Sequence, residues 1–251
     1  MCTIILLYKW IPSCPIILAG NRDEFLDRSS LPPRLWNFSH QEDSIKIFSG
    51  RDKKAGGTWL GINRFGVVAG VTNYFTGSRD PTKNSRGSLV LDCLSGEDPD
   101  QILNTLTPEK TSAYNPFNLF CLSQERGFLY SNHPRPRTII LKQGTYILTN
   151  SGIDDSRDLK RRDLHQRLHP LSAASDPDKL ESFLSQLLAS HGSKGSSSDI
   201  CIHLPGYGTV SSCLLFMNQR QDQSRFLYCH GKPCRNHYQD LSKELLKLFL
   251  P

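Results

Sequence analysis

The chain has 251 residues, enough for one domain with a sizeable core or for two small ones. Apolar residues make up 37% and charged residues 22%, a globular composition that excludes disorder, collagen and coiled coil. Thirty lysines and arginines against 24 aspartates and glutamates leave a formal charge of +6, too weak to argue a nucleic-acid partner, and no clustering of basic and aromatic residues supports one.

The apolar start, Cys2 to Tyr8, reads as a strand buried on both faces, and Pro15 to Asp23 as a second. Lys9, Pro12 and Pro15 interrupt the run and no basic region precedes it, so it reads as strands and not as a targeting segment. Residues 37–56 are polar and irregular and are expected to form a long loop. A hairpin follows over 58–63 and 66–72, turning at Asn63-Arg64-Phe65-Gly66.

Asn84-Ser85 can cap a helix that runs to Leu94 and stops at Gly96, with a short helix over 98–105. Strands are predicted at 117–123, 126–132, 138–142 and 145–149, and helices at 157–168 and 177–190. Residues 192–198 are a Gly/Ser-rich loop. Strands near 199–203, 211–217 and 225–230 and a helical pattern over 240–249 complete the chain. The order indicates an α+β fold in a single domain spanning 1–251. No run of about 18 uncharged apolar residues occurs, so no integral membrane segment is expected.

Eight cysteines lie at irregular spacing with no C-x-x-C pair, which argues for a reducing compartment over a disulfide scaffold. The motifs of serine hydrolases, zinc proteases, P-loop proteins and dinucleotide-binding proteins are absent. Cys229-His230 and Cys234-x-x-His237 have zinc-ligand residue types, but strand alternation sends Cys229 and His230 to opposite faces. No metal or cofactor is expected. The stretch from Arg157 to Asp163 starts a basic helix whose interleaved aspartates suggest a solvated face.

Three other features carry chemistry. Removal of Met1 would leave Cys2 with a thiol and an α-amine on one residue, a nucleophile with its own base; taken alone the dipeptide reads more simply as a buried strand cysteine. Asn21-Arg22-Asp23-Glu24 closes the second strand. Alternation puts Asn21 and Asp23 on one face and Arg22 and Glu24 on the other, so Arg22 should point away from the side on which Asp23 would serve the amine. Asn73 and Asn150 each end an apolar strand, where a side-chain amide can face an oxyanion or simply form a turn.

Taken together the chain resembles the NRDE family, whose eukaryotic members are called transport and Golgi organisation protein 2. The matching pieces are Met1-Cys2, Leu18-Ala19-Gly20-Asn21-Arg22-Asp23-Glu24-Phe25, Gly56-Gly57-Thr58-Trp59-Leu60-Gly61-Ile62, Thr72-Asn73-Tyr74, Ser85-Arg86-Gly87, Phe117-Asn118-Leu119, Leu148-Thr149-Asn150 and Pro205-Gly206-Tyr207-Gly208-Thr209. The resemblance implies a four-layer αββα sandwich of the N-terminal nucleophile hydrolase type. It implies Cys2 as nucleophile, Asp23 on its amine, Asn73 and Asn150 at the oxyanion, and Asn21, Arg22 and Trp59 as substrate-binding residues.

The implied activity is hydrolysis of a linear C–N bond in a small-molecule amide. The cysteine amidases of this fold carry arginines where this chain has Gly20 and Val210, which points to an alternative: a non-catalytic binder of haem or an acyl-lipid ligand. The resemblance also implies a part in Golgi organisation, secretion and lipid or haem handling, in the cytoplasm with mitochondrial or Golgi association.

Overall fold

The computed structural model describes residues 2–40, 43–153, 155–169, 171, 176–192 and 199–250. The chain opens with β1 (Cys2–Ile11) and β2 (Cys14–Phe25). Seven strands and three helices follow: β3 (Ser30–His40), β4 (Asp43–Asp52), β5 (Leu60–Asn63), β6 (Val68–Asn73), α1 (Arg86–Leu94), α2 (Pro99–Asn104), α3 (Pro108–Ser112), β7 (Phe117–Leu122), β8 (Gly127–Ser131) and β9 (Arg137–Ile140). The last part holds β10 (Gly144–Leu148), α4 (Leu159–Leu168), α5 (Pro177–Leu188), β11 (His203–Leu204), β12 (Tyr207–Met217), β13 (Arg225–His230), β14 (Gln239–Asp240) and α6 (Ser242–Leu246). They gather into two compact units, Met1–Asp27 with Lys142–Ser242 and Arg28–Leu141 with Lys243–Pro251.

The first unit is an antiparallel sheet in the order β10-β1-β2-β12-β13-β14, with β11 beside β12. Alternation explains its core. Ile5, Leu7, Ile17, Ala19, Leu214 and Phe216 share one sheet face and pack with Leu164 and Leu168 of α4 and Leu180, Leu184 and Leu188 of α5. Each such buried Leu or Ile contributes about 1.5–3 kcal/mol of transfer free energy. Ile4, Leu6 and Tyr8 on the other face are fully buried too, so β1 is buried on both sides as its apolar run predicts.

The second unit is an antiparallel sheet running β3 to β9 in chain order. Val67, Ala69, Val71, Leu119 and Cys121 form a core with Leu89, Val90, Cys93 and Leu94 of α1. Asn63 closes the β5–β6 turn: its Oδ1 accepts from the N–H groups of Phe65 and Val67, both at 3.0 Å. Its Nδ2 donates to the carbonyls of Leu94 and Gly96 at 2.9 and 2.7 Å, satisfying the C-terminal end of α1. Gly57 and Gly87 let two chain segments touch, since a Cβ on Gly57 would sit 2.4 Å from the Gly87 carbonyl carbon.

Four expectations are corrected. Residues 37–56 are mostly strand, not loop: β3 and β4 pair from Ser30↔Asp52 to His40↔Asp43. Ile45 and Ile47 are buried while the polar residues around them hide the alternation. Of the strand expected at 199–203 only His203 enters a ladder, because the N–H groups of Cys201 and Ile202 are taken by the Ser190 carbonyl and Thr209 Oγ1. The helix expected over 240–249 shrinks to α6, capped where Asp240 accepts from the Ser242 N–H, and Gln239–Asp240 is a short strand.

The fourth is α3, which was not anticipated. Thr107 caps it by accepting from the Lys110 N–H, and Pro108 opens it. Met1 and residues 193–198 of the Gly/Ser-rich loop lie outside the described residues.

Candidate active site

Cys2 is the first residue of β1 and pairs directly with Arg22 of β2. Residues directly opposite in an antiparallel ladder share a face. Arg22 therefore stands on the side of the Cys2 thiol, and β12 places Ser211 next to Arg22 on that face. The expectation that Arg22 points away from the chemistry is corrected: it does lie opposite Asp23, but the thiol is on the Arg22 side. The β1–β10 ladder ends at Ile4↔Leu148, and Asn150 follows two residues beyond the last pair, at the end of β10.

Asp23 lies on the other face, with α4 and α5. Its Oδ1 accepts from Thr209 Oγ1 at 2.6 Å, and Thr209 Oγ1 accepts from the Ile202 N–H at 2.9 Å. The backbone carbonyl of Asp23 accepts from the Tyr207 hydroxyl at 3.0 Å. Burial pushes the Asp23 carboxyl up to about 6, opposed by the Lys160 ammonium, the Thr209 hydroxyl and the Arg22 guanidinium. Its backbone remains in reach of Cys2, whose sulfur takes a hydrogen bond from the Asp23 N–H.

Cys2 is buried, with 8% of the residue exposed. Burial raises its pKa and the Asp23 charge adds to the rise, while the Asp23 N–H and Arg22 pull it down. Arg22 is itself buried and sits 4.0 Å from the Glu24 carboxylate.

Lys160 was missed. Read as part of a solvated basic helix start, it is buried in the first turn of α4 and its charge acts on Asp23. The signal was present: Lys160, Leu164 and Leu168 recur every four residues on one helix face. Asp158 sets this turn by accepting from the Arg161 N–H at 3.1 Å through Oδ1. Its Oδ2 takes the hydroxyls of Thr149 and Ser151, which flank Asn150. One carboxylate thus ties the end of β10 to the start of α4.

Asn21 has a different task from the one expected. Both amide protons are given to main-chain carbonyls, Leu188 at the end of α5 and Ile200, each at 2.9 Å. It anchors the helix layer to the sheet. Asn73 and Trp59 belong to the second unit. Asn73 ends β6 opposite Phe117, and the Trp59 carbonyl accepts from the Val71 N–H at 2.9 Å.

The Transport and Golgi organisation 2 family profile matches residues 1–227. The chain belongs to that family. It is 37% identical over 145 residues to the mouse Transport and Golgi organization 2 homolog and 38% identical over 145 residues to the human one. In each case 54% of this chain and 50% of the relative is covered, so the match spans half the length of these relatives. The bovine homolog is 27% identical over 238 residues, covering 81% of this chain and 82% of its own.

Among solved structures, the C2A mutant of conjugated bile acid hydrolase from Clostridium perfringens superposes with a TM-score of 0.57 at 11% identity, over 98% of this chain and 94% of that one. Penicillin V acylase from Agrobacterium tumefaciens gives 0.58 at 11% identity, over 98% and 88%. These likenesses show the fold class: this Transport and Golgi organisation 2 family member has the α+β, αββα fold of the N-terminal nucleophile hydrolases. Among the described residues no helix is long and apolar enough to cross a membrane.

Proposed function

We propose that the chain hydrolyses a linear C–N bond in a small-molecule amide through Cys2. The observation that carries this reading is the Cys2↔Arg22 pair, a buried cation on the face of a buried thiol, with Asp23 one residue further on. The reading needs Met1 removed. The Cys2 α-amine then takes the thiol proton and the sulfur bonds to the amide carbonyl carbon. The C–N bond breaks and the amine leaves with that proton. Water attacks the thioester, releasing the carboxylic acid and restoring the thiol.

Asn150 is proposed to hold the developing oxyanion, and Arg22 to favour the thiolate. The sequence resemblance adds Asn73 as an oxyanion residue and Trp59 as a substrate residue, roles that Asn73→Ala and Trp59→Ala test. Turnover of a panel of N-acyl small-molecule amides is the measurement. Release of amine that Cys2→Ala abolishes is the expected result; release unchanged in Cys2→Ala contradicts it.

Burial that raises the Cys2 thiol supports a second reading, a non-catalytic carrier of haem or an acyl-lipid ligand. Binding that survives both Cys2→Ala and an intact Met1 is its signature, and absence of a Soret shift on haem titration removes the haem version. A part in Golgi organisation, secretion or lipid handling, in the cytoplasm, mitochondria or at the Golgi, is proposed from the family alone.

A further inference from the structure

Away from Cys2, four side chains from three separate segments of the first unit converge. His191 follows α5, Cys201 and His203 lead into and form β11, and Cys234 lies in the turn after β13. Their Sγ and ring nitrogen atoms all lie within 4.8 Å of one another. Cys201 Sγ is 3.5 Å from His203 Nε2 and 3.5 Å from Cys234 Sγ, and His203 Nε2 is 3.1 Å from Cys234 Sγ. The His191 and His203 rings are 5.0 Å apart, centre to centre.

A tetrahedral zinc ion with bonds of about 2.3 Å to sulfur and 2.0–2.1 Å to nitrogen has ligand–ligand edges of about 3.3–3.8 Å. Two of the three edges, at 3.5 Å, lie inside that range and the third, at 3.1 Å, just below it. A disulfide would instead require sulfurs about 2.05 Å apart, and both thiols are free. Two thiolates and two neutral imidazoles balance the two charges of the ion, which suits a half-buried place.

The backbone is built to hold these groups. The Cys201 N–H donates to the Ser190 carbonyl at 3.0 Å, and His203 is fixed by its ladder with Gly208. The Cys234 turn is closed by the N–H groups of Arg235 and Asn236 on the Lys232 carbonyl, at 3.0 and 3.1 Å. It is hung on β12 by the Gly231 N–H on the Val210 carbonyl at 2.9 Å.

We propose that His191, Cys201, His203 and Cys234 form a structural zinc site with two cysteine and two histidine ligands. The ion ties the end of α5, the β11–β12 hairpin and the turn after β13 into one piece. Its four protein ligands close the coordination sphere, the pattern of a structural and not a catalytic zinc. It differs from the Cys229, His230, Cys234 and His237 grouping that strand alternation already argues against. Cys229 is buried, His230 is exposed, and only Cys234 joins the cluster.

The test is titration of the whole reduced, chelator-treated chain with zinc alone, and with cobalt as a spectroscopic stand-in. One zinc per chain is expected, and cobalt should show thiolate-to-metal charge transfer with the d–d bands of a tetrahedral ion. The Cys201→Ser, Cys234→Ser double variant should lose at least ~100-fold in zinc affinity, beyond the 10–100-fold that outer-shell changes cost. His191→Ala alters an exposed side chain and should leave the fold intact, yet change the cobalt spectrum.

Zinc at no more than trace stoichiometry overturns the proposal. So does a Cys201–Cys234 disulfide in protein purified under reducing conditions, or a cobalt spectrum identical in wild type and both variants.

Discussion

Cys2 and Arg22 are directly opposed across the first two strands, and each is buried. The cysteine amidases of this fold place an arginine immediately before the asparagine of their N-x-D motif, where this chain has Gly20. Arg22, one residue after Asn21, puts a positive charge on the face of the thiol from another position in the strand.

The first prediction concerns that charge. Arg22→Met removes one of the positive charges that lower the Cys2 thiol. Losing that influence raises the thiol further and slows its alkylation at neutral pH. Rates with a small electrophile across pH would show it, and Arg22→Lys should recover part of the loss. Equal rates in wild type and Arg22→Met contradict the role.

Asp23 gives a pH signature. Its folded-state value of about 6 lies above the ordinary value of 3.8. Folding therefore favours the protonated acid. The contribution is whole below about pH 4 and is lost as pH rises through 6, a change of about 3 kcal/mol. Asp23→Asn abolishes this titration while keeping an acceptor for Thr209. It should be more stable than wild type at pH 8, and the gap should close at pH 4. Thermal unfolding at both pH values checks this; a gap that does not change with pH contradicts it.

Lys160 should act on the same carboxyl. Lys160→Met removes the largest influence opposing the rise and should move the Asp23 midpoint above 6. Carboxyl carbon NMR of the labelled chain reads this directly. An unmoved midpoint shows that the α4 lysine does not reach Asp23.

Asn21 should matter for stability. Asn21→Ala strips partners from two main-chain carbonyls, Leu188 and Ile200, at about 1–3 kcal/mol each. Denaturant unfolding should fall by several kcal/mol, with α5 the first element to lose amide protection in hydrogen exchange. A loss under about 0.5 kcal/mol would show that the anchor is not needed.

Particular residues show what could be read in advance. The apolar runs of β1 and β2 and the polar punctuation around Asn63 identify those elements without a structure. The β3–β4 hairpin escapes because only a few inward positions, such as Ile45 and Ile47, are apolar. Arg22 was misjudged because alternation says which residues of one strand share a face, not which face a neighbouring strand presents. That depends on register, which the turn after Tyr8 sets through an irregularity between Tyr8 and Ile11 and the positive φ of 55° at Lys9. The zinc-type cluster was beyond sequence spacing, since His191 and Cys234 are brought together only by the sheet.

The most direct measurement of the central claim is the mass of the N-terminal peptide of the protein taken from its own kind of cell, before and after exposure to an activated acyl donor. The account predicts Met1 gone, the Cys2 amine unblocked, and one acyl group on the Cys2 sulfur that Cys2→Ala does not take up. A retained Met1, or an acetylated Cys2, leaves the thiol without its base and contradicts hydrolysis by this residue.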